Sequence, residues 1–443
     1  MAPLVSVIVT VYNLERYIGQ CLESLVTQRF ANFEIVVVDN GSIDSSLDIC
    51  RDYAGKYPEF VRLLELDQPS IMHRGHKAGI AAARGIYLHI IDGDDVVRQG
   101  YLSDAAKLIE MQQPDVIIGR YSSFVEGNAL PSRDVALDRE QIDHQTQDQV
   151  IAYIRSIPAY HLAFWRYIFK RERVDVARLF DSRFKENSQF PLLDALVTYR
   201  ILFSGTTFAL MEEPLYYYRH RVDSVSAPNE KQTLWHIQSF VEFGMLLHES
   251  KLTKEQRLFV LAKLQQELKY ALGQSDLWTT DSLGRIAELL DQAQAVFLDL
   301  AGMEKEASES LVRFCSELIT RPITRDVIES YFEAERVRIL ADVQSRNPEA
   351  VYIFPSGQFS RNVHRWLQEA GLQQLFFLDN NPDMLGRTIQ GSPCCSLQTV
   401  KALSLEQRDK ILIIIATIYE QLDAILYRQC VNNGLPEERL LVC

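Results

Sequence analysis

Residues 87–95 read Tyr-Leu-His-Ile-Ile-Asp-Gly-Asp-Asp, an apolar run of strand character that ends in three carboxylates. A buried strand of an open α/β sheet carries such residues at its carboxyl end, which is where these sheets bind their ligands. Hard cations such as Mg²⁺ and Mn²⁺ prefer carboxylate oxygens, so the stretch indicates a metal site. An acidic turn that caps the following helix, with Asp95 as its N-cap, is the alternative interpretation.

The region before these carboxylates alternates strand-like and helix-like segments. Val5–Val11 is strand-like, and apolar residues then recur at helical spacing over Ile18–Val26. Further strands are predicted at 34–38, 61–66, 86–91 and 116–118. This alternation predicts a largely parallel, doubly wound sheet.

Charge and cysteine content exclude several classes of protein. A net charge of −13 argues against a nucleic-acid-binding protein. The 7 cysteines are odd in number and contain no Cys-x-x-Cys pair, so neither a disulfide framework nor a zinc site is indicated. We recognise no signal peptide, and the longest apolar runs are too short to span a bilayer. We therefore expect a cytoplasmic protein, and peripheral contact with the inner face of the plasma membrane stays open.

Four motifs stand in order along the first half of the chain. They are the strand and turn at 5–13, Ser-Leu-Val-Thr-Gln at 24–28, the strand and turn at 34–42, and Asp-Gly-Asp-Asp at 92–95. Together they resemble the inverting family 2 glycosyltransferases of GT-A fold. The resemblance runs from residue 5 to about 227, because residues 214–226 are similar to the segment that closes this domain in bacterial polysaccharide enzymes.

The resemblance implies an enzyme that transfers a sugar from a nucleotide-diphosphate donor, with inversion at the anomeric carbon. The expected donor is a UDP-sugar, and the expected acceptor is a hydroxyl of a glycan or a lipid-linked saccharide, in the assembly of a capsule or O-antigen. The alternative is a catalytically degenerate domain kept as a nucleotide-sugar-binding or scaffold subunit. A homodimer is left open.

The expected architecture is α/β with three domains. Residues 1–228 would form the GT-A glycosyltransferase domain, and residues 229–345 read as an almost wholly helical linker or docking region. From 346 to 443 strands and helices alternate again and predict a small Rossmann-like domain.

The turn after the first strand of that last domain lies where a dinucleotide fingerprint would. Only Gly357 remains of the three glycines, although Asp379 follows the next strand at the distance of a ribose-binding acid. We therefore expect a structural or acceptor-positioning domain. Redox chemistry with a nicotinamide cofactor is the weaker alternative.

The carboxylates take separate roles within this resemblance. Asp94 is the expected direct ligand of Mn²⁺ or Mg²⁺, which would bridge the two phosphates of the donor. Asp92 would assist by contacting the sugar, the ribose or a metal-bound water, and Gly93 lies between them in the donor site. Asp95 would complete the site or cap a helix, and His220 is a further candidate metal ligand.

Two turns are expected to hold the nucleoside. The turn from Thr10 to Asn13 would lie against it, with Tyr12 packed on the base or, alternatively, in the core. By resemblance, Asp39 and Asn40 stand where the family holds the base and the ribose. Many members carry Asp where this chain has Asn40. An amide oxygen still accepts a hydrogen bond from a pyrimidine N–H, so the identity of the base stays open.

Positive side chains must face the diphosphate. Many relatives carry Ala-Arg-Asn-x-Gly ahead of the carboxylates, and this chain reads Arg-Gly-His-Lys-Ala-Gly at 74–79. Lys77 or His76 is therefore expected to contact phosphate in place of the usual Arg. Arg219 and Arg221 are expected on a flexible segment that folds over the diphosphate, with a solvated surface run as the alternative.

Inverting transfer also needs a general base that removes the proton of the acceptor hydroxyl. Members of the family commonly use the Asp of a Glu-Asp pair shortly before the closing segment, and here that position reads Leu193-Asp194. We therefore expect Asp194 to be the base, with Glu186 as the alternative. Trp165 is expected either to form a platform for the acceptor sugar or to lie in the core.

Overall fold

The chain forms two compact units with separate hydrophobic cores. The computed structural model describes residues 2–66, 72–125, 163–180, 194–221, 325–380, 384–416 and 420–443, with short stretches between 234 and 288. The first unit comprises residues 1–153 and 159–228, and the second comprises residues 154–158 and 229–443. No helix in the described stretches is long and apolar enough to cross a lipid bilayer. The division into three domains stays a prediction.

The first half of unit 1 is a parallel sheet with helical crossovers, as the sequence predicted. Its strands are β1 (Val5–Val11), β2 (Phe33–Asp39), β3 (Val61–Glu65) and β4 (Tyr87–Asp92). The helices are α1 (Ile18–Val26), α2 (Ser46–Lys56) and α3 (Met72–Ala82). All of β1 and β2 is buried, which explains their continuous apolar sequence. Parallel pairing of β1 with both β2 and β4 brings the carboxyl ends of these three strands to one edge.

The second half of unit 1 makes the sheet mixed. It contributes β5 (Val96–Val97), α4 (Tyr101–Gln112), β6 (Val116–Val125), β7 (Tyr167–Lys170), α5 (Asp194–Ser204) and β8 (Phe208–His220). The strand order is β3-β2-β1-β4-β7-β6-β8-β5, with β7 antiparallel to both β4 and β6. Short strand β5 pairs with β8, and this brings the end of β8 next to the carboxylate turn. The segment that we expected to be flexible therefore belongs to a strand as far as His220, because β6 and β5 hold it on both sides.

One glycine sets how closely α3 packs on this sheet. A Cβ atom at Gly79 would lie 2.4 Å from Cγ2 of Ile8 in β1 and 3.1 Å from Cγ2 of Val38 in β2. Packing at this density leaves no room for a methyl group. Gly79 thus lets α3 lie directly over the two strands whose ends carry the predicted nucleoside turns.

Unit 2 contains a six-stranded sheet. Its elements are α6 (Arg325–Arg346), β9 (Ala350–Phe354), α7 (Gln358–Glu369), β10 (Leu375–Leu378), β11 (Thr388–Ile389), β12 (Ser392–Cys395), α8 (Leu397–Lys401), α9 (Leu405–Arg408), β13 (Ile411–Ile415), α10 (Glu420–Asn432) and β14 (Leu440–Val442). The order is β11-β12-β10-β9-β13-β14, and every pairing except that of β11 with β12 is parallel. The predicted return of the α/β pattern is confirmed.

The turn after β9 is closed by its own side chains. The amide N–H and the hydroxyl of Ser356 both donate to Oδ2 of Asp379, at 3.0 and 2.5 Å. Asp379 is the residue that stands at the position of a ribose-binding acid, and this oxygen already has two donors. The contact favours a structural role for the turn, and the Rossmann-like assignment stays a prediction.

Candidate functional site

The carboxylate turn follows directly from the end of β4 and packs against the end of β1. Thr10 and Asp92 are register partners in the two strands. A Cβ atom at Gly93 would lie 2.8 Å from the carbonyl oxygen of Thr10, so a larger residue would push the turn away from β1. Gly93 therefore fixes where the flanking carboxylates stand, and its role here is one of close backbone approach.

The three carboxylates converge. One oxygen from each of Asp92, Asp94 and Asp95 can be chosen so that all three atoms lie within 4.8 Å of one another. Asp92 and Asp94 are half-buried, whereas Asp95 is buried. A set of oxygen ligands alone suits a hard divalent cation, and the group could hold one.

Asp95 is already engaged by strand β8. Its Oδ2 accepts from the hydroxyl of Tyr216 at 2.6 Å, and its Oδ1 accepts from the backbone N–H of Arg219 at 2.8 Å. Burial, followed by the charges of Asp94 and Asp92, raises the pKa of the Asp95 carboxyl well above its ordinary value. The interpretation of Asp95 as a helix N-cap is wrong, because Gly100 occupies that position in α4. Asp95 instead joins the carboxylate turn to β8.

Arg219 reinforces the same junction. Its Nε donates to the carbonyl oxygen of Asp94 and its Nη2 donates to Oε1 of Gln20, both at 2.6 Å. The guanidinium carbon lies 4.6 Å from the ring centroid of Phe124 and 5.1 Å from that of Tyr17. These contacts hold the backbone of the carboxylate turn. A donor-binding role for Arg219 stays a prediction.

Arg221 pairs with the expected metal ligand itself. Its Nε lies 3.0 Å from Oδ2 of Asp94, and the two side chains are only 12% and 18% exposed. Its guanidinium carbon lies 5.0 Å from the ring centroid of Tyr17, and that of Arg16 lies 5.4 Å from the same centroid. Arg16, Arg219 and Arg221 thus form an arginine cluster around one aromatic ring, beside three carboxylates.

Sequence reasoning missed the residues that organise this cluster. Tyr17 directly precedes α1, and its apolar neighbours Ile18 and Leu22 made the segment look like plain core. The signal that could have found the cluster is the pair Arg16-Tyr17 directly after a predicted nucleoside turn. An arginine next to an aromatic ring at a ligand-binding edge is a candidate cation–π pair.

In the second predicted nucleoside turn, one carboxylate oxygen of Asp39 accepts hydrogen bonds and the other does not. Its Oδ2 accepts from the backbone N–H groups of Gly41 and Ser42, both at 3.0 Å. Its Oδ1 is buried and has no hydrogen-bond partner among the residues that the structure describes. A buried acceptor without a donor is costly and calls for an explanation such as a ligand.

The two predicted nucleoside turns are hydrogen-bonded to each other. The side-chain oxygen of Asn13 accepts from the N–H of Ile43 at 2.9 Å, and the N–H of Asn13 donates to Oγ of Ser42 at 3.1 Å. Asn13 adopts a left-handed conformation with φ of 51°, which an Asn tolerates well. Tyr12 is 46% exposed, so its ring is available at the surface and the alternative of a core aromatic is wrong.

Asn40 fits against a glycine of α3. Asn40 is buried, and a Cβ atom at Gly75 would lie only 2.3 Å from its Oδ1. Asn40 and the stretch at 74–79 both differ from the usual family pattern, and the two are in contact through Gly75. Gly75 makes room for the amide.

The two phosphate-contact candidates on α3 separate. His76 is fully buried, its Nε2 lies 3.2 Å from Oγ1 of Thr10, and its ring stacks on Phe180 with centroids 4.9 Å apart. Its packing is that of a core residue that supports Thr10. Lys77 is exposed, so of the two residues it is Lys77 whose charged group can face an anion.

Several expected residues fall elsewhere. Trp165 is 3% exposed and stacks between Tyr216 and Tyr218, with centroids 4.5 and 5.4 Å away, so the acceptor-platform interpretation is wrong and the core alternative is confirmed. Asp194 is the first residue of α5, but its side chain lies outside the described residues. The same holds for Glu186 and for the side chain of His220, which ends β8.

Comparisons with known proteins agree with this fold. Residues 6–172 match the sequence model of the family described as Glycosyl transferase family 2. The chain is 30% identical over 238 residues to the uncharacterized glycosyltransferase EpsJ of Bacillus subtilis (strain 168), an alignment that covers 51% of this chain and 64% of that protein. It thus spans less than two thirds of that relative's length.

The chain is also similar to TarS, both in sequence and in structure. The chain is 34% identical over 128 residues to the poly(ribitol-phosphate) beta-N-acetylglucosaminyltransferase TarS of Staphylococcus aureus (strain Mu50 / ATCC 700699), over 28% of this chain and 22% of that protein. The crystal structure of S. aureus TarS 1-349 in complex with UDP-GlcNAc superimposes with a TM-score of 0.50 and 20% identity, over 74% of this chain and 92% of that one. Residues 6–172 therefore resemble the family 2 glycosyltransferases in sequence, and the GT-A-like α/β fold agrees with the structure of TarS.

Proposed function

We propose that this protein is an inverting, metal-dependent glycosyltransferase that moves a sugar from a nucleotide diphosphate to a hydroxyl of a glycan or lipid-linked acceptor in surface polysaccharide assembly. The observation that carries the proposal is the convergence of three carboxylates within 4.8 Å at the end of β4, beside the arginine cluster. Anionic and cationic groups at one edge suit a metal-bound diphosphate. The names of TarS and EpsJ support the same class of reaction.

Asp92 and Asp94 would hold the divalent cation, Mn²⁺ or Mg²⁺, with His220 as a further candidate ligand. Both oxygens of Asp95 already accept hydrogen bonds, so this residue positions the turn instead. Carboxylate oxygens match the hard character of these ions. The cation, when bound, supplies positive charge that stabilises the diphosphate leaving group.

The two nucleoside turns would bind the rest of the donor. The unsatisfied Oδ1 of Asp39 needs a donor, which a ribose hydroxyl or a base N–H can supply. The exposed ring of Tyr12 can pack on the base, and Lys77 can face the phosphates. The TarS complex with UDP-GlcNAc supports a UDP-sugar as the donor.

Asp194 would accept the proton of the attacking acceptor hydroxyl, with Glu186 as the alternative base. Asp194 is the first residue of α5, at the end of an element. A proton removed at that oxygen raises the nucleophilicity of the acceptor as the glycosidic bond of the donor breaks.

A panel of nucleotide sugars tests the proposal by thermal shift, with and without Mn²⁺, on the full chain. We expect one UDP-sugar to raise the melting temperature, and we expect the rise to grow with Mn²⁺, because a ligand that binds only the folded state stabilises it. The ligand found in this way then enters a hydrolysis and transfer assay. Binding without turnover would favour the degenerate scaffold instead, and no shift with any nucleotide sugar would refute the donor site.

A further inference from the structure

The contact between Arg221 and Asp94 places a positive charge on the residue that is expected to bind the cation. The 3.0 Å separation of Nε and Oδ2 is that of a direct ion pair. Both side chains are largely shielded from solvent, so counterions in solution screen the pair only weakly. The contact is therefore not one of the exposed surface pairs that contribute almost nothing.

A divalent cation on Asp94 would lie close to this guanidinium. Two positive charges at such a distance, in a site of reduced dielectric constant, repel each other strongly. The carboxylate of Asp94 also attracts each of two cations less strongly than it attracts one cation alone. Arg221 and the cation are thus alternatives for the same carboxylate.

We propose that Arg221 competes with the divalent cation for Asp94 and leaves it for the diphosphate when the donor binds, so that cation and donor bind cooperatively. This inference rests on the proposed metal-dependent donor site. A guanidinium that exchanges a carboxylate for a phosphate meets a second anion that it can bind through a two-pronged contact. Donor binding thereby moves the Arg221 guanidinium away from Asp94, and the cation can bind there.

The surroundings of Arg221 suit such an exchange. Its guanidinium carbon lies 5.0 Å from the ring centroid of Tyr17, an anchor that does not involve Asp94. Residue 221 also follows the last residue of β8, so its own backbone lies outside the strand pairing. The side chain can therefore turn while its guanidinium stays over the ring.

Arg219 differs from Arg221 in the atom that it contacts. It bonds the carbonyl oxygen of Asp94 and Oε1 of Gln20, and neither is a carboxylate. Arg219 can keep both contacts while the Asp94 side chain changes partner. The two arginines thus have different roles: Arg219 holds the backbone of the turn, and Arg221 binds the side chain of Asp94.

The consequence is a coupling between two ligands. If the cation weakens the hold of Arg221 on Asp94, and the diphosphate does the same, each ligand raises the affinity for the other by the same factor. Arg221 is then a positioning residue that keeps the site from binding a free cation. Replacing it should strengthen binding of the cation alone.

The test measures the affinity of the whole 443-residue chain for Mn²⁺ alone, by electron paramagnetic resonance of the free ion. We expect Arg221→Gln to tighten Mn²⁺ binding by about tenfold, within the usual range of coupling between sites. Arg221→Lys keeps the competing charge and should stay near the wild type. The matched control is Arg16→Gln, which removes the same charge from the same ring and should produce a clearly smaller change.

Asp94→Asn separates this inference from the proposed function. In that background Arg221→Gln should no longer tighten Mn²⁺ binding, because the contested carboxylate is gone. The competition is overturned if Arg221→Gln binds Mn²⁺ no more tightly than the wild type, or if Arg16→Gln tightens binding equally. A loss of Mn²⁺ affinity in Asp94→Asn would still support the metal site in that case. If Mn²⁺ binds to none of the variants, the competition and the metal-dependent function fail together.

Discussion

The hydroxyl of Tyr216 lies 2.6 Å from Oδ2 of Asp95, and this contact joins strand β8 to the carboxylate turn. Both residues are buried, so water does not replace this hydrogen bond if it is lost. The same ring stacks on Trp165 with centroids 4.5 Å apart. One tyrosine therefore links the hydrophobic core to the acidic residues that the reaction would use.

Tyr216→Phe should keep the ring packing and remove only this hydrogen bond. The buried carboxyl of Asp95 would lose one of its two donors, and we expect a loss of roughly 1–3 kcal/mol in the free energy of unfolding. Urea denaturation measures the change. Tyr12→Phe is the matched control, because the Tyr12 side chain is 46% exposed and its hydroxyl should contribute almost nothing. Equal stability of both variants would show that the Tyr216 hydroxyl does not support the turn.

His89 predicts how stability depends on pH. It is fully buried in β4, and burial lowers its pKa to about 4 from an ordinary value of 6.5. The unfolded chain takes up a proton below about pH 6.5 and the folded chain does not until about pH 4, so this residue reduces stability as pH falls through that window. At pH 5 the loss should be roughly 2 kcal/mol relative to pH 7.

A variant isolates that contribution from those of other titrating groups. His89 accepts at Nε2 from the hydroxyl of Tyr101, 2.9 Å away, when its Nδ1–H donates to the carbonyl oxygen of Tyr167, 3.2 Å away. His89→Gln keeps a side chain that can both donate and accept but cannot titrate. The difference in unfolding free energy between pH 7 and pH 5 should be smaller in the variant, and an unchanged difference would contradict the assignment.

Gly75→Ala tests the fit between α3 and Asn40. The new methyl group would lie 2.3 Å from Oδ1 of Asn40, so either the helix or the amide must move. We expect a loss of about 1–3 kcal/mol in stability, as for other overpacked sites, and weaker donor binding. Gly55→Ala in α2 is the control, because nothing lies within 4 Å of its Cβ position. That change should stabilise the protein slightly, since Ala is the better helix former.

The double variant Gly75→Ala with Asn40→Ala completes this comparison. Removing the amide relieves the clash, so the two stability losses should not add. Strict additivity, measured by urea denaturation, would show that Asn40 does not lie against Gly75.

Asp194→Asn addresses the transfer step. If Asp194 is the base, the variant should lose nearly all transfer, by a factor on the order of 10² to 10⁴, and keep its affinity for the donor. Glu186→Gln is the natural comparison, because it is the alternative base. Turnover and donor binding, measured separately, decide between the two: loss of transfer in Glu186→Gln alone would reassign the role.

The strands and the acidic turn could be predicted from sequence because their signals are local. Residues 87–95 carry both an apolar strand and its acidic end, and β1 and β2 carry unbroken apolar runs. A parallel sheet with buried faces requires such runs, so pattern and structure agree. The family resemblance rests on the same local stretches.

The partners of the carboxylates could not be predicted, because they depend on the pairing of distant strands. Arg221 meets Asp94 only after β8 has paired with β5 and β6, and nothing in the sequence near either residue shows that register. Asp95 as a helix cap was a reasonable local interpretation that long-range pairing with β8 overruled. Trp165 was equally ambiguous, since a tryptophan in a sugar enzyme suits either a core or a surface platform.

The position of β8 in the chain bears on synthesis of the protein. The family match ends at residue 172, yet Tyr216 and Arg219 supply the hydrogen bonds of Asp95, and Arg221 pairs with Asp94. A nascent chain that has emerged only as far as residue 172 therefore already contains the four ordered motifs between residues 5 and 95, but its acidic turn lacks these three partners. The ribosome must release about fifty further residues, a delay of several seconds, before the carboxylates can acquire the neighbours that hold them.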